Sequence, residues 1–434
     1  MHMSDLVERR GQAMLAAVEQ GLTGAEQPVA GLLDLDGIRE TARELHAAFA
    51  TAGVEVQHTF AVKAAALVPV LRVLGEEGIG AEVASPGELA IARAAGVPAA
   101  RIVLDSPAKT HGELQEALAL GIALNADNPQ ELARLDKLVR PGSPPASPLG
   151  LRVNPQVGGG SIGATSTATA TSKFGFALRD EGAEDWVVQA YLDRPWLTRL
   201  HTHTGSQGVP LELMATGVRA AYELAERIND AAGRQQVTTI DIGGGLPVNY
   251  DSDDFRPAYR DYADVLRAAV PGLFSGRYGL VTEFGRSLLA KSGVILARVE
   301  YAKSAGGRAI AVTHAGVQVA TRTVLVPDVW PLRVLALDPK GRPKDGPAVV
   351  QDVAGPCCFA GDLVARGREL PLLEEGDWVA LLDTGAYAFS THYGYNSLPR
   401  PGIYGFQVDG SGAVRFTVVR RPQTLAELVA ESGG

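Results

Sequence analysis

Between Val56 and Arg286 the sequence repeats one pattern, a short β-branched or apolar run followed by a longer stretch of helical periodicity. The apolar runs fall at residues 58–64, 79–84, 101–105, 122–126, 148–154, 196–204, 238–242 and 279–283. Helical patterns, among them 87–95, 112–120, 130–138, 211–229 and 255–269, separate most of them. Pro86 after Ser85, and Pro129 two residues after Asp127, stand where helix starts place proline. Eight such units within roughly 230 residues match the closed parallel (β/α)8 barrel, an α/β fold. An open doubly wound sheet normally uses fewer strands and carries its glycine fingerprint after the first. Here the cluster Gly243, Gly244 and Gly245 follows the seventh.

After Leu289 the texture changes. Runs at 294–301, 309–313, 348–353, 378–383 and 414–419 read as strands without intervening helices, with frequent Pro and Gly between them. A second, mainly antiparallel β domain is expected. One strand-like piece at 29–35 and a helix at 37–50 lie near the N-terminus. The expected division is an N-terminal segment 1–36 packing with the β domain, a barrel at 37–288 and the β domain at 289–434.

With 434 residues the chain is too long for one small core. Its 46% hydrophobic and 21% charged residues are the mixture of a soluble globular protein. A formal charge of -9 disfavours a nucleic-acid partner, because no net positive field attracts phosphate backbones. The two cysteines, Cys357 and Cys358, are adjacent, so no disulfide framework is expected and a cytoplasmic location fits. No apolar run is long enough to span a bilayer, and residues 1–18 do not read as a secretory signal. The low-complexity stretch 158–171 reads either as a mobile surface loop or as a lid over the barrel mouth.

Working residues of this barrel type sit at the C-terminal ends of strands. Those ends carry Lys63, Arg152, His203 with Ser206, Gly243 to Gly245, and Glu283 with Arg286. Lys63, within an apolar run, is either a snorkelling surface residue or a desolvated amine ready to form a Schiff base. The three glycines are either a tight turn or a place where backbone amides approach a phosphate, with Arg286 adding a cation to the same corner. Glu283 is either half of a rim ion pair or a carboxylate that holds a proton on a pyridine nitrogen. His201 and His203 share one strand face; no further ligand completes a metal set, so no metal is expected and stacking on a flat ring is preferred.

A Schiff-base lysine, a phosphate corner and a ring-nitrogen carboxylate are the attachments that pyridoxal phosphate needs. Seven motifs stand in order: Phe-Ala-Val-Lys63, Ser172-Lys-Phe-Gly, His203-Thr-Gly-Ser206, Gly243 to Gly245, Glu283-Phe-Gly-Arg286, Gly355-Pro-Cys-Cys358-Phe-Ala-Gly-Asp362 and Asp383-Thr-Gly-Ala-Tyr387. With them the chain resembles, from about Gln27 to Phe406, the fold-type-III decarboxylases. This is the family of diaminopimelate and ornithine decarboxylases, related in barrel fold to alanine racemase. The resemblance implies that Lys63 binds the pyridoxal 5'-phosphate aldehyde, His203 stacks on the ring and Glu283 pairs with its nitrogen. It implies that Ser206, Gly244, Gly245, Arg286 and Tyr387 hold the phosphate, with Gly243 in the same turn, and that Arg152 supports the cofactor. Cys358 would protonate Cα after carbon dioxide leaves, acting across a twofold homodimer with shared sites. Read without the resemblance, Cys358 is a small buried apolar residue.

Departures from the family pattern bear on the amino-acid substrate. Ala65 stands where asparagine is usual, and Phe284 where proline is usual. Phe359 follows the cysteine, where diaminopimelate and ornithine decarboxylases carry an acid for the distal ammonium; the carboxynorspermidine decarboxylases also place an apolar residue there. Arg322 falls where the diaminopimelate enzymes use an arginine for a substrate carboxylate, though Thr323 and Val326 replace their following proline and nearby tyrosine. Asp328 lies near the aspartate that ornithine decarboxylases use for the distal amine. The expected activity is decarboxylation of an amino acid in the manner of diaminopimelate decarboxylase, on a substrate that need not be diaminopimelate. A carboxylated polyamine is the alternative. A racemase, a cofactor-free Schiff-base aldolase and a non-catalytic binding protein are the competing classes.

Overall fold

The computed structural model describes residues 3–51, 53–140, 142 and 145–434, so Met1 and His2 lie outside the described residues. The chain divides into two units. One comprises Met1–Thr41, Asn249–Asp254 and Leu289–Gly434, the other Ala42–Val248 and Phe255–Leu288.

The second unit is the barrel. Its strands are β1 (Val56–Ala61), β2 (Gly80–Val83), β3 (Ile102–Leu104), β4 (Ala123–Ala126), β5 (Leu149–Asn154), β6 (Leu197–Thr202), β7 (Thr239–Asp241) and β8 (Gly279–Phe284). Each pairs in parallel with the next. The ring closes where β8 pairs with β1, with Glu283 opposite Thr59. A two-residue strand, Phe176–Ala177, adds to the side of β5. The helices begin where local chemistry satisfies their free amides. Ser85 accepts from Glu88 and Asn128 from Glu131, each with proline in the first turn, and Thr110 forms a capping box with Glu113. Helix Leu211–Ala232 ends on Gly233, whose φ of +61° suits a residue without a Cβ.

One strand is shorter than its apolar run. The run 58–64 reads as strand to its end, but β1 stops at Ala61 and Lys63 lies in a single 3-10 turn, Val62–Ala64. The amide of Ala65 bonds back to the carbonyl of Val62, and this turns the chain out of the sheet. Lys63 is therefore presented from a turn at the strand's C-terminal end.

The first unit is built on a nine-stranded, mostly antiparallel sheet. Strand Val29–Asp34 lies between Gly293–Ala305, antiparallel, and Gly402–Val408, parallel. Helix Met3–Glu19 covers one face, burying Ala13, Met14 and Ala17 against Leu32, Leu296, Trp378 and Phe406. The expectation of strands without helices between them is corrected: Thr321–Leu325 forms a short helix between two of the strands. Five residues are too few to show a 3.6-residue period. Among the described residues no helix is long and apolar enough to cross a membrane.

Candidate active site

Strand register brings the barrel's ionisable side chains to one end. Lys63 Nζ lies 2.5 Å from Glu82 Oε2, at the neighbouring strand β2; the lysine side chain is 42% exposed and the glutamate 2%. Burial pushes Glu82 up to about 7, against the pull of the Lys63 ammonium. The ion pair thus holds a buried carboxylate against the amine at the mouth of the barrel.

Glu283, near the end of β8, is buried and lies 3.5 Å from both His201 Nε2 and His203 Nδ1. His201 Nδ1 faces Asp105 Oδ2 at 3.3 Å. Burial alone would strip the His201 proton, but Asp105, Glu283 and Asp241 outweigh it and push the imidazole up to about 10. His201 is thus a buried cation among carboxylates. His203 lies just past the end of β6, and burial with the nearby cations Arg152, Lys63 and His201 holds it well below the usual histidine range. The two rings stand at 89° with centroids 6.4 Å apart. Three ligand-type atoms of His201, His203 and Glu283 lie within 4.8 Å of one another. The expectation that no carboxylate joins the histidines is therefore corrected; barrel closure brings β8 to them.

Two turns meet beside this cluster. A Cβ on Gly243 would lie 2.6 Å from His203 Nδ1, one on Gly244 2.0 Å from the Glu283 carbonyl oxygen, and one on Gly245 2.0 Å from the Gly205 carbonyl carbon. Side chains are excluded at all three, and φ is +66° at Gly243 and +89° at Gly245. The approach of Gly205 brings its neighbour Ser206 to the same corner. Arg286 opens the short helix Arg286–Leu289 directly after Gly285, which packs on Ala61 and Ala64 either side of the lysine turn. Arg152, on β5, is buried with its guanidinium 4.3 Å from the Phe174 ring and 4.0 Å from Asp127. The stretch 158–171 is tied to the strand end: Thr167 Oγ1 donates to the His203 carbonyl at 2.5 Å, and the Ser161 amide to that of Gly208 at 3.0 Å.

The remaining candidates lie in the other unit. Arg322 is flanked by rings, with its guanidinium 4.1 Å from Tyr387 and 5.2 Å from Trp330. Tyr387 has a φ of +69°, a sparsely populated backbone for a ring-bearing residue. Asp328 is exposed in the turn after the Arg322 helix. Cys357 and Cys358 are both free thiols, the first buried and the second exposed. That exposure corrects the reading of Cys358 as a buried apolar residue. Phe359 turns its ring edge-to-face onto Tyr395, centroids 5.8 Å apart.

Comparison with known proteins matches residues 35–290 to the pyridoxal-binding domain of the pyridoxal-dependent decarboxylases. The chain is 35% identical over 373 residues to the diaminopimelate decarboxylase of Pseudomonas fluorescens, covering 86% of this chain and 85% of that one. It is 33% identical over 411 residues to that of Methanothermobacter thermautotrophicus, covering 92% and 90%. This chain belongs to the pyridoxal-dependent decarboxylase family. Its architecture is also that of Helicobacter pylori diaminopimelate decarboxylase, solved with L-lysine: TM-score 0.80, 25% identity, 94% of this chain and 97% of that one. The protein is a pyridoxal-phosphate-dependent amino-acid carboxy-lyase.

The barrel residues fit that cofactor. Glu283 Oε1 is buried and no hydrogen-bond donor among the described residues reaches it; a protonated ring nitrogen would satisfy it. The glycine turns leave backbone without side chains beside Ser206, as close approach of a phosphate requires. Sequence reasoning missed Glu82, Asp105 and Asp241. Their one signal was an acid within or just beyond a short, otherwise apolar strand, which must be paired or functional when buried.

Proposed function

We propose that this decarboxylase acts on an amino acid whose side chain ends in a carboxylate, and that the substrate departs from diaminopimelate at the distal ammonium. The observation that carries this reading is the Phe359 ring, packed on Tyr395 at the position where the family resemblance implies an acid. An aromatic face offers no formal charge to a second ammonium. Arg322, held between two rings, remains a preset cation for a carboxylate.

In this reading Lys63 Nζ, paired with Glu82 Oε2, would hold the cofactor aldehyde, with water as the group released. Ser206, Gly243, Gly244, Gly245 and Arg286 would hold the phosphate, a role the family resemblance also implies for Tyr387, and Arg152 would support the cofactor. When bound, pyridoxal phosphate supplies an electron sink for the pair left on Cα as carbon dioxide departs. Glu283, 3.5 Å from His201, would hold a proton at the ring nitrogen. His203, held well below the usual histidine range, would face the ring without adding a positive charge there. Cys358, acting across a twofold homodimer, gives its Sγ proton to Cα and regains one from solvent.

The test is a carbon dioxide release assay with product mass measurement across meso-diaminopimelate, L-lysine, L-ornithine, L-glutamate, L-2-aminoadipate and carboxynorspermidine. The highest kcat/KM is expected for an acidic amino acid without a distal amine. A preference of about tenfold or more for meso-diaminopimelate, about 1.4 kcal/mol of discrimination, sinks the substrate proposal. Diaminopimelate is the second reading, favoured by the name of the 35% identical relative.

A further inference from the structure

We propose that Tyr395 and Asn396 are positioning residues that set the direction of the Cys358 thiol. The inference rests on the reading of Cys358 as the proton donor to Cα. A donor to carbon must be held close to its productive geometry, yet Cys358 lies exposed on a turn between strands. Its main chain is nevertheless held on both sides. The Cys358 amide donates to Asn396 Oδ1 at 2.7 Å, and the Tyr395 hydroxyl donates to the Cys358 carbonyl at 3.3 Å. The next side chain, Phe359, packs on the Tyr395 ring, giving a third point of contact. On the other flank Asp362, itself buried, accepts from the Cys357 amide at 2.7 Å and the Val317 amide at 2.6 Å. With the peptide frame fixed, the thiol retains only its side-chain torsion.

Backbone geometry on the opposite side is consistent with a dedicated clamp. Asn396 has a φ of +57° and Ser397 of +51°, the left-handed region that asparagine tolerates better than most residues. Held there, Asn396 presents its amide oxygen to the Cys358 N–H. The bonding groups of Tyr395 and Asn396 are exposed, so water competes for each bond and their net contribution to global stability is small. Removing them therefore reports on local geometry, and the protein stays folded.

The experiment uses the holoenzyme and two readouts. Asn396→Gly keeps the backbone freedom and removes the acceptor; Asn396→Asp keeps both. Amide hydrogen exchange of the peptide spanning Cys357 to Phe359 is expected to lose protection at Cys358 in Asn396→Gly and to keep it in Asn396→Asp. With the best substrate of the amino-acid panel, kcat is expected to fall about tenfold in Asn396→Gly at unchanged KM, and to recover in Asn396→Asp. Tyr395→Phe, which loses only the hydroxyl, is expected to show a smaller fall in kcat. Unchanged amide protection in Asn396→Gly overturns the clamp. Wild-type kcat in Asn396→Gly, when Cys358→Ala is inactive, overturns the positioning role while the donor reading stands. Full turnover by Cys358→Ala overturns the donor reading and the positioning role with it; amide protection then still decides whether the clamp exists.

Discussion

In the barrel, Asp105, His201, Asp241 and Glu283 lie on or directly after four different strands, every one of them buried. In the β unit, Cys358 sits exposed on a turn, held by Tyr395 and Asn396, which are exposed as well. The first group is fixed by strand register, so a change there disturbs charges that no water can re-solvate. The second is fixed by a few local bonds, so a change there is expected to alter the turn's direction with little effect on the fold. The barrel therefore holds its ionisable groups through strand register and burial, and the β unit holds Cys358 through a few local bonds.

The comparison breaks most directly at Lys63. Lys63→Ala is expected to reduce carbon dioxide release to background and abolish the cofactor's visible absorption. Because the buried Glu82 loses its ion-pair partner, the melting temperature of the cofactor-free protein should fall as well. Next is Glu283→Ala. It removes a buried partner of the His201 cation and should cost about 3–5 kcal/mol in chemical denaturation, alongside lost turnover. A loss under about 1 kcal/mol would mean that the barrel network is far better hydrated than its burial implies. Asp362→Ala strips the acceptor from two buried amides in the β unit and should cost about 1–3 kcal/mol.

A smaller and more diagnostic effect is the response to pH. His201 is pushed up from 6.5 to about 10, so the folded chain holds this proton more tightly than the unfolded one. The resulting stabilisation is complete below about pH 6.5 and is lost as pH rises toward about 10. Glu82 and Asp241, raised by burial to about 7, act in the same direction, but their effect is over by about that pH. Stability between about pH 7 and 9 should therefore fall in the wild type and flatten in His201→Gln, read from urea midpoints across that range. The smallest expected effect is in the loop. Phe359→Glu should raise kcat/KM for meso-diaminopimelate about tenfold by supplying a partner for the distal ammonium, with no change in melting temperature. No gain would separate the Phe359 contact from substrate choice.

Much of the barrel was legible because strands and helices alternate with different periods, and each of the eight expected strands overlaps an observed one. Lys63 and Glu283 stood out as charges at strand ends. Glu82 and Asp241 did not, because a three- or four-residue strand is too short for one acid to interrupt a pattern. Helix Met3–Glu19 was equally quiet: its buried face includes Ala13 and Ala17, which carry little hydrophobic signal. The contact between Asn396 and Cys358 spans 38 residues and two turns, where no periodicity operates.

The order of motifs and the repeated strand–helix pattern were enough, from the residues alone, to specify a barrel with an added β domain and a pyridoxal phosphate chemistry. Only the tertiary structure decided that His201 is a buried cation, that Glu82 faces Lys63 and that Cys358 is exposed and held from two sides. The reason is physical: the charge state and direction of a side chain depend on groups distant in sequence, as with His203 and Glu283, 80 residues apart. Barrel closure and burial, which bring such groups together and remove water from between them, are properties of the folded chain.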